Sequence, residues 1–169
     1  DAVLEAGLGS AGLALHLARV LGATGRLISV EERDEHAEVG MENLRRAQIA
    51  WGKDFPEHHL LIGDVVEQAE NAALEFGGFD GIILDLPEHA SAIVATAPLL
   101  NIGGRIACYC PVSSQLEAAW DGCEDAGLKV EWAGEMIARE WGKATKGGMR
   151  PVNGPFGHTA FLLVAQRIQ

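Results

Sequence analysis

The sequence has few of the residues on which disulfide-bonded, metal-binding or membrane proteins depend. Three cysteines among 169 residues are too few for a disulfide framework, and neither they nor the six histidines are spaced as zinc ligands. No apolar run approaches the roughly 20 residues of a membrane-spanning helix. No secretory leader opens the chain. We therefore expect a protein of a reducing compartment, with a cytoplasmic location and no membrane partner.

Positive charge is also scarce. Lys and Arg total 13 against 24 Asp and Glu, which gives a net charge of −11. Broad, non-specific nucleic-acid binding needs clustered cations, so this balance argues against it while leaving a local basic patch open. The main cluster of cations comprises Arg139, Lys143, Lys146 and Arg150, which either contact phosphates or belong to a solvated loop. With 48% hydrophobic residues, the chain has the composition of one globular domain.

Apolar runs and helical periodicities alternate five times along the chain, and two further strands follow with no helix between them. We predict strands over 2–6, 26–31, 59–62, 79–86, 105–110, 130–140 and 156–168. We predict helices over 10–21, from an Asp34 cap to Trp51, over 65–76 and 90–100, and from a Ser114–Glu117 capping box to Gly127. This order predicts an α/β, Rossmann-like fold with a mostly parallel seven-stranded sheet and a C-terminal antiparallel β-hairpin. The layout resembles the class I methyltransferase fold.

A glycine-rich turn lies between the first predicted strand and helix. Gly7, Gly9 and Gly12 fit the G-x-G-x-x-G spacing that lets a backbone approach a dinucleotide, although a simple packing turn has the same spacing. Glu31 ends the second strand, where a carboxylate can accept hydrogen bonds from ribose hydroxyls, and Glu32 can compete for that role. Alternatively, both glutamates are solvated charges that open the next helix.

NAD and S-adenosylmethionine both use this arrangement, and two features favour the second. Glu5 lies in an apolar strand, where a carboxylate needs a partner such as a ligand's ammonium group. The terminal strand pair also lacks a crossover helix. Asp64 follows the third strand, and it either accepts a hydrogen bond from an adenine amino group or caps the next helix.

Four segments resemble the tRNA (adenine-58 N1)-methyltransferase family: VLEAGLGSAGLAL, ISVEERDEHAE, IILDLP and GHTAFLLVAQR. The resemblance runs from Val3 to Arg167, and the Gly157–Leu162 block is more specific than the glycine turn. It implies S-adenosylmethionine as methyl donor and N1 of adenine 58 in the tRNA T-loop as acceptor. It also implies a homotetramer and a small N-terminal β-rich domain before Asp1. We therefore expect residues 1–169 to be the S-adenosylmethionine-binding catalytic domain alone.

The resemblance also implies which residues form the site. Asp85 would contact both the cofactor and the target adenine, and Tyr109 would be the second catalytic residue, although a tyrosine at that strand end also suits a core. Arg150 and His158 would contact the substrate, with a polar core role as the alternative for His158. The family usually continues from the aspartate that matches Asp85 to a Pro-Trp pair; here Pro87 is followed by Glu88-His89-Ala90, so the tryptophan is absent. The family's cofactor positions carry over onto Glu5, Gly7, Gly9, Ser10, Glu31 and Asp64. We also expect cofactor contacts from Leu8, Glu32 and Asp85.

The expected chemistry needs alignment of the acceptor nitrogen with the methyl group more than acid–base help. Methylation of N1 places positive charge on adenine, and the Asp85 carboxylate could accept a hydrogen bond from the exocyclic amine and stabilise that charge. Two alternatives remain: a methyltransferase of this fold that acts on a small molecule, and a non-catalytic tRNA methyltransferase subunit. Retention of the glycine turn and its carboxylates favours the catalytic form.

Overall fold

The structure is a computed structural model that describes residues 1–143, 149–152 and 160–169. Strands and helices alternate through most of the chain, as the sequence predicts. The strands are β1 (Ala2–Ala6), β2 (Arg26–Glu31), β3 (Glu57–Ile62), β4 (Phe79–Leu84), β5 (Leu100–Cys110), β6 (Lys129–Glu135), β7 (Trp141–Lys143), β8 (Met149–Pro151) and β9 (Phe161–Gln166). The helices are α1 (Gly12–Leu21), α2 (Asp34–Trp51), α3 (Val65–Phe76), α4 (His89–Thr96) and α5 (Ser113–Asp125).

A seven-stranded sheet forms the centre of the fold, with the strand order β3-β2-β1-β4-β5-β9-β6. The strands β1 to β5 pair in parallel, and β9 runs antiparallel to both of its neighbours, β5 and β6. This confirms the predicted mostly parallel sheet and its C-terminal antiparallel pair. From β1 the strands are added towards one edge of the sheet as far as β3, and β4 and β5 are then added on the other side of β1. This reversal of the strand order between β1 and β4 opens a crevice at the carboxyl ends of the strands.

Helices bury both faces of this sheet. Alternate residues of each strand point to opposite faces, so Leu4 and Ile28 pack into one cluster while Leu27 packs into the other. The larger cluster includes residues of α3, α4 and α5, among them Ile93 and Cys123. The smaller one is formed by α1 and α2. Burial on both sides fixes the register of the strands and therefore the positions of their ends.

Two predicted helix starts were wrong. Asp34 is the first residue of α2, and the cap position is held by Arg33, whose side chain makes no capping hydrogen bond. The predicted Ser114–Glu117 box does not form either, because the cap of α5 is Val112, two residues before Ser114. Instead, the backbone N–H of Val112 donates to the Gln115 side-chain oxygen at 3.2 Å. Valine has no side-chain oxygen to return that bond, so only half of a capping box is possible.

Several predicted ends also differ. The helix predicted over 90–100 stops at Thr96, and a short 3₁₀ turn containing Pro98 leads into β5. Pro98 has no backbone N–H to donate the next helical hydrogen bond, so the α-helix does not continue beyond Thr96. The strand predicted over 130–140 ends at Glu135, and β7 then pairs with β8 in a separate two-stranded sheet. Among the helices that the structure describes, none is long and apolar enough to cross a membrane.

Ala11, just before α1, adopts a left-handed backbone conformation with φ of 64° and is fully buried. That conformation costs an L-residue about 1–2 kcal/mol, whereas glycine adopts it freely. We expect Ala11→Gly to change the free energy of unfolding by less than about 0.5 kcal/mol, because strain relief offsets the lost methyl burial and the added chain entropy. The equally buried Ala14 in α1 is the control, where glycine should cost about 1–2 kcal/mol. Urea denaturation checks this, and equal losses for both variants would contradict it.

Candidate active site

A cavity of about 260 Å³ opens at the carboxyl ends of β1, β2, β3 and β4. This is where open α/β sheets bind their ligands. Five of the predicted site residues line it, and four of them carry carboxylates: Gly7, Glu31, Glu32, Asp64 and Asp85. The strand ends therefore bring together side chains that lie far apart in the sequence. Glu32 is exposed, whereas Glu31 is buried.

The glycine turn needs glycine for a steric reason. Gly7 and Gly9 have φ values of 48° and 52°, in the left-handed region. A Cβ on Gly7 would lie 2.9 Å from the backbone oxygen of Asp85. The N–H of Asp85 also donates to the carbonyl of Ala6 at 2.7 Å. The turn after β1 and the residue after β4 are therefore in direct backbone contact at the floor of the cavity.

Helix α2 supports this turn from the other side. A Cβ on Gly40 would come within 2.7 Å of the Gly9 carbonyl oxygen, so only glycine lets the helix approach this closely. Asn43 donates from its side-chain nitrogen to the Ser10 carbonyl at 3.0 Å. The side chain of Leu8 packs into the core beneath, which leaves its backbone as the part available to a ligand. Neither Gly40 nor Asn43 was predicted; a glycine inside a helix was the available signal.

Glu31 joins the turn to the second strand. Its Oε2 accepts from the N–H of Gly9 at 2.9 Å, and its Oε1 accepts from the N–H of Arg33 at 3.1 Å. Burial raises the pKa of Glu31, but these two hydrogen bonds and the Arg33 guanidinium outweigh it and hold the pKa below its ordinary value. The carboxylate is therefore ionised at neutral pH, and each oxygen keeps a lone pair for a further donor.

Asp64 caps a helix and also lies on the cavity wall. Its Oδ1 accepts from the N–H of Val66 at 2.7 Å, so it caps α3. It also lines the cavity. The cap occupies one carboxylate oxygen and fixes the side chain, which leaves the other oxygen available to a donor on a ligand.

Glu5 lies beside the cavity and not in its wall. It is 1% exposed, and the Ser29 hydroxyl donates to its Oε1 at 2.6 Å. Its Oε2 is buried and has no hydrogen-bond partner among the described residues. Burial raises the pKa of Glu5 to about 7; the Ser29 bond opposes that rise and the nearby Asp85 charge adds to it. A buried oxygen without a donor is destabilising, so the site is incomplete without one.

The residues predicted on the acceptor side are less closely grouped. Asp85 lines the cavity, and partial burial raises its pKa while the neighbouring His89 lowers it. Tyr109 lies at the end of β5 and is 43% exposed, but it does not line this cavity. Its carbonyl accepts from Nε2 of His89, which is fully buried, at 3.1 Å. His89 therefore ties the start of α4 to the end of β5, shortly after the position where the tryptophan implied by the resemblance is absent.

The remaining predicted contacts are described only in part. His158 and Lys146 lie outside the described residues. Arg150 belongs to β8, and its backbone pairs with Gly142. Arg139 and Lys143 are exposed. Within the described ranges, no group of three or more His, Cys, Asp or Glu side chains could hold a metal ion.

Comparison with known families agrees with this geometry. The model of the GCD14 family, described as the tRNA methyltransferase complex GCD14 subunit, matches residues 1–146. This chain belongs to the GCD14 family. The matched range includes the glycine turn and all four carboxylates that line the cavity.

Characterised relatives of this GCD14-family chain include two tRNA methyltransferases. The tRNA (adenine(58)-N(1))-methyltransferase TrmI of Thermus thermophilus is 33% identical over 98% of the chain and 61% of its own length. The tRNA (adenine(57)-N(1)/adenine(58)-N(1))-methyltransferase TrmI of Methanocaldococcus jannaschii is 29% identical over 98% of the chain and 64% of its own length. The chain thus spans a little over three fifths of these relatives.

Solved structures confirm the fold. A SAM-dependent O-methyltransferase of Thermotoga maritima superposes with a TM-score of 0.76 at 23% identity, over 100% of this chain and 60% of that one. The tRNA (m1A58) methyltransferase TrmI of Aquifex aeolicus superposes with a TM-score of 0.72 at 19% identity, over 100% of this chain and 63% of that one. The GCD14-family chain has the class I methyltransferase fold.

Proposed function

We propose that this chain is the catalytic domain of a tRNA methyltransferase that transfers a methyl group from S-adenosylmethionine to N1 of adenine 58. Membership of the GCD14 family supports the reaction class. The observation that carries the proposal is the cavity at the strand ends, lined by Gly7, Glu31, Asp64 and Asp85. The two TrmI relatives, named for this reaction, support the acceptor.

The residues present fit S-adenosylmethionine. Glu31 is an ionised carboxylate on the cavity wall, suited to a ribose diol. Asp64 can accept from an adenine amino group, and Gly7 lies on the cavity wall, where a ligand can approach the backbone of the turn. The buried Oε2 of Glu5 needs a donor, and an amino-acid ammonium is one. When bound, the sulfonium supplies an activated methyl group.

The protein's own contribution is to position the acceptor. Asp85 lies on the cavity wall, where its carboxylate can accept from the exocyclic amine of adenine and stabilise the charge that develops on the ring. The backbone bond from Asp85 to Ala6 holds that carboxylate beside the cofactor pocket. Tyr109 is exposed enough to stack on a base at the neighbouring strand end.

The test is methylation of unmodified tRNA by the full-length protein, followed by mapping of the modified base. Calorimetry with S-adenosylhomocysteine and with NAD is done in parallel. The proposal predicts binding of the first ligand only, and 1-methyladenine at position 58. Binding of NAD alone would overturn the proposal for the cofactor. Methylation at another base, or of a small molecule only, would overturn it for the acceptor.

The basic cluster of Arg139, Lys143, Lys146 and Arg150 supplies a prediction about RNA binding. Reversing two of its charges with Lys143→Glu and Lys146→Glu should weaken tRNA binding and lower the salt slope of the binding constant by about 1 for each phosphate that the protein no longer neutralises. The control reverses two exposed charges on and after α2, with Arg46→Glu and Lys53→Glu. Binding measured between low and moderate salt checks this. If the variant with Lys143→Glu and Lys146→Glu kept the salt slope of the wild type, the RNA-binding surface would lie elsewhere.

We also propose a cytoplasmic homotetramer in which residues 1–169 form the catalytic part of a longer protein. Large apolar side chains are exposed on β6, on β7 and between them, and such patches are typical of subunit interfaces. The fraction of the curated relatives that the chain spans is consistent with a further domain. The exposed residues are Trp132, Met136, Ile137 and Trp141.

A further inference from the structure

A chain of hydrogen bonds crosses three strands beside the candidate active site. Glu5 on β1 lies opposite Ser29 on β2, and their side chains are 2.6 Å apart from oxygen to oxygen. Nε2 of His58 on β3 lies 3.0 Å from the same Ser29 hydroxyl oxygen. Glu5 and Ser29 are 1% and 0% exposed. Three polar side chains from neighbouring strands thus share one face of the sheet.

Proton counting fixes the direction of this chain. When Glu5 is ionised its oxygens only accept, so the single hydroxyl proton of Ser29 is donated to Glu5. The Ser29 oxygen must then accept from His58, whose Nε2 carries the proton. Burial lowers the pKa of His58 to about 4, so the ring is neutral at physiological pH and can hold this tautomer. Each group in the chain therefore determines the role of the next.

This series of hydrogen bonds leaves one oxygen of the Glu5 carboxylate without a partner. Oε1 is held by Ser29, whereas Oε2 is buried and has no partner among the described residues. Ser29 is itself hydrogen-bonded to His58, so two contacts determine where its hydroxyl group lies. One oxygen of the Glu5 carboxylate thus lacks a donor, and the carboxylate is close enough to Asp85 on the cavity wall for the two charges to interact.

We propose that Ser29 and His58 are positioning residues that hold the Glu5 carboxylate so that its Oε2 accepts from the ammonium group of the cofactor's amino-acid arm. This rests on the proposed use of S-adenosylmethionine. It assigns a specific part of the cofactor to a buried three-strand network. Ser29 and His58 act through Glu5 and touch no reacting atom.

Two ligands separate this role from general packing. S-Adenosylhomocysteine carries the amino-acid arm, and 5′-methylthioadenosine keeps the adenosine and sulfur but lacks that arm. Ser29→Ala should weaken binding of S-adenosylhomocysteine about 10-fold, as expected for a charge-assisted hydrogen bond, and leave 5′-methylthioadenosine within about twofold. Calorimetry on the full-length protein measures both affinities.

Matched variants keep the test decisive. Thr96→Val also removes one buried hydroxyl, but that hydroxyl bonds within α4, so both ligands should bind as in the wild type. His58→Gln keeps a side-chain N–H donor and should retain most of the affinity for S-adenosylhomocysteine. His58→Leu removes the donor at a half-buried position and should weaken that ligand alone.

The pH profile gives an independent readout. The groups that act on the Glu5 charge are Ser29 from β2 and Asp85 after β4, while His58 from β3 stays neutral. An ammonium group prefers the ionised carboxylate, so S-adenosylhomocysteine should bind more tightly as pH rises through about 7. In Ser29→Ala the hydrogen bond that lowers the pKa is lost, so the midpoint should move to higher pH. Binding of 5′-methylthioadenosine should show no such transition.

The contrary results are distinct. Equal losses for both ligands in Ser29→Ala and His58→Leu would reduce the network to packing and overturn the inference. Unchanged binding of S-adenosylhomocysteine in both variants would also overturn it. Wild-type protein that binds neither ligand would defeat the proposed function itself, whereas binding of 5′-methylthioadenosine with no preference for the longer ligand would defeat only the ammonium assignment.

Discussion

Asp85→Asn should slow single-turnover methyl transfer to tRNA by about 10²-fold, the size expected for loss of a preorganised electrostatic group. The variant keeps the shape of the side chain but removes its charge and replaces one acceptor oxygen with a donor. Asp85 lies on the cavity wall, and its backbone N–H is anchored to Ala6. Because its proposed role is on the acceptor side, the affinity for S-adenosylhomocysteine should change less than about threefold.

Glu88→Gln is the matched control for this result. Glu88 lies in the same loop, is exposed, and does not line the cavity, so the same loss of charge should leave the rate nearly unchanged. A near-normal rate for Asp85→Asn would remove Asp85 from catalysis. A normal rate combined with weak binding of S-adenosylhomocysteine would instead make it a residue of the cofactor pocket.

Glu31→Ala should weaken binding of S-adenosylhomocysteine by about 1.5–3 kcal/mol, roughly 10- to 150-fold. The change removes the acceptor proposed for the ribose and also leaves the N–H groups of Gly9 and Arg33 without their carboxylate. The affinity of Glu31→Gln should lie between that of the wild type and that of Glu31→Ala. Its amide keeps one acceptor oxygen, but it presents an NH₂ group, which cannot accept, to one of these N–H donors. Calorimetry measures the affinities.

The control for Glu31 is Glu35→Ala, an exposed acidic residue in the first turn of α2. It loses the same charge but contacts neither the turn nor the cavity, so binding should stay close to that of the wild type. If both variants weakened binding equally, a general charge effect would explain the result. If neither did, Glu31 would hold the loop without contacting the ligand.

Sequence periodicity predicted the parts of the fold that local patterns determine. The bounds of β1, β2 and α3 match the structure, because each begins and ends at a change in hydrophobic pattern or at a glycine. The ends of α4 and β5 do not match, since pairing with neighbouring strands lengthens β5 and Pro98 interrupts the helical segment before it. The small sheet of β7 and β8 depends on pairing that no local pattern signals.

The same division applies to the site. The sequence placed Glu31, Asp64 and Asp85 at strand ends, and the structure brings all three to one cavity. It gave no indication of Ser29 and His58, because their roles arise from cross-strand neighbours that a linear pattern does not reveal. Direct contacts of these residues with a ligand stay predictions until binding is measured.

The position of β9 has a consequence for the order in which the molecule assembles. Among the described strands, β6 pairs with β9 alone, and β9 separates it from β5. β6 precedes β9 in the chain. Because β9 lies between β6 and β5, β6 joins the sheet only when β9 pairs with β5. The pairing of Cys110 with Phe161 closes a long loop, and such non-local contacts form late because the chain entropy is lost before the hydrogen bonds are gained. The strands that carry the cavity can thus associate first, and the edge of the sheet is completed as a separate, later step of folding.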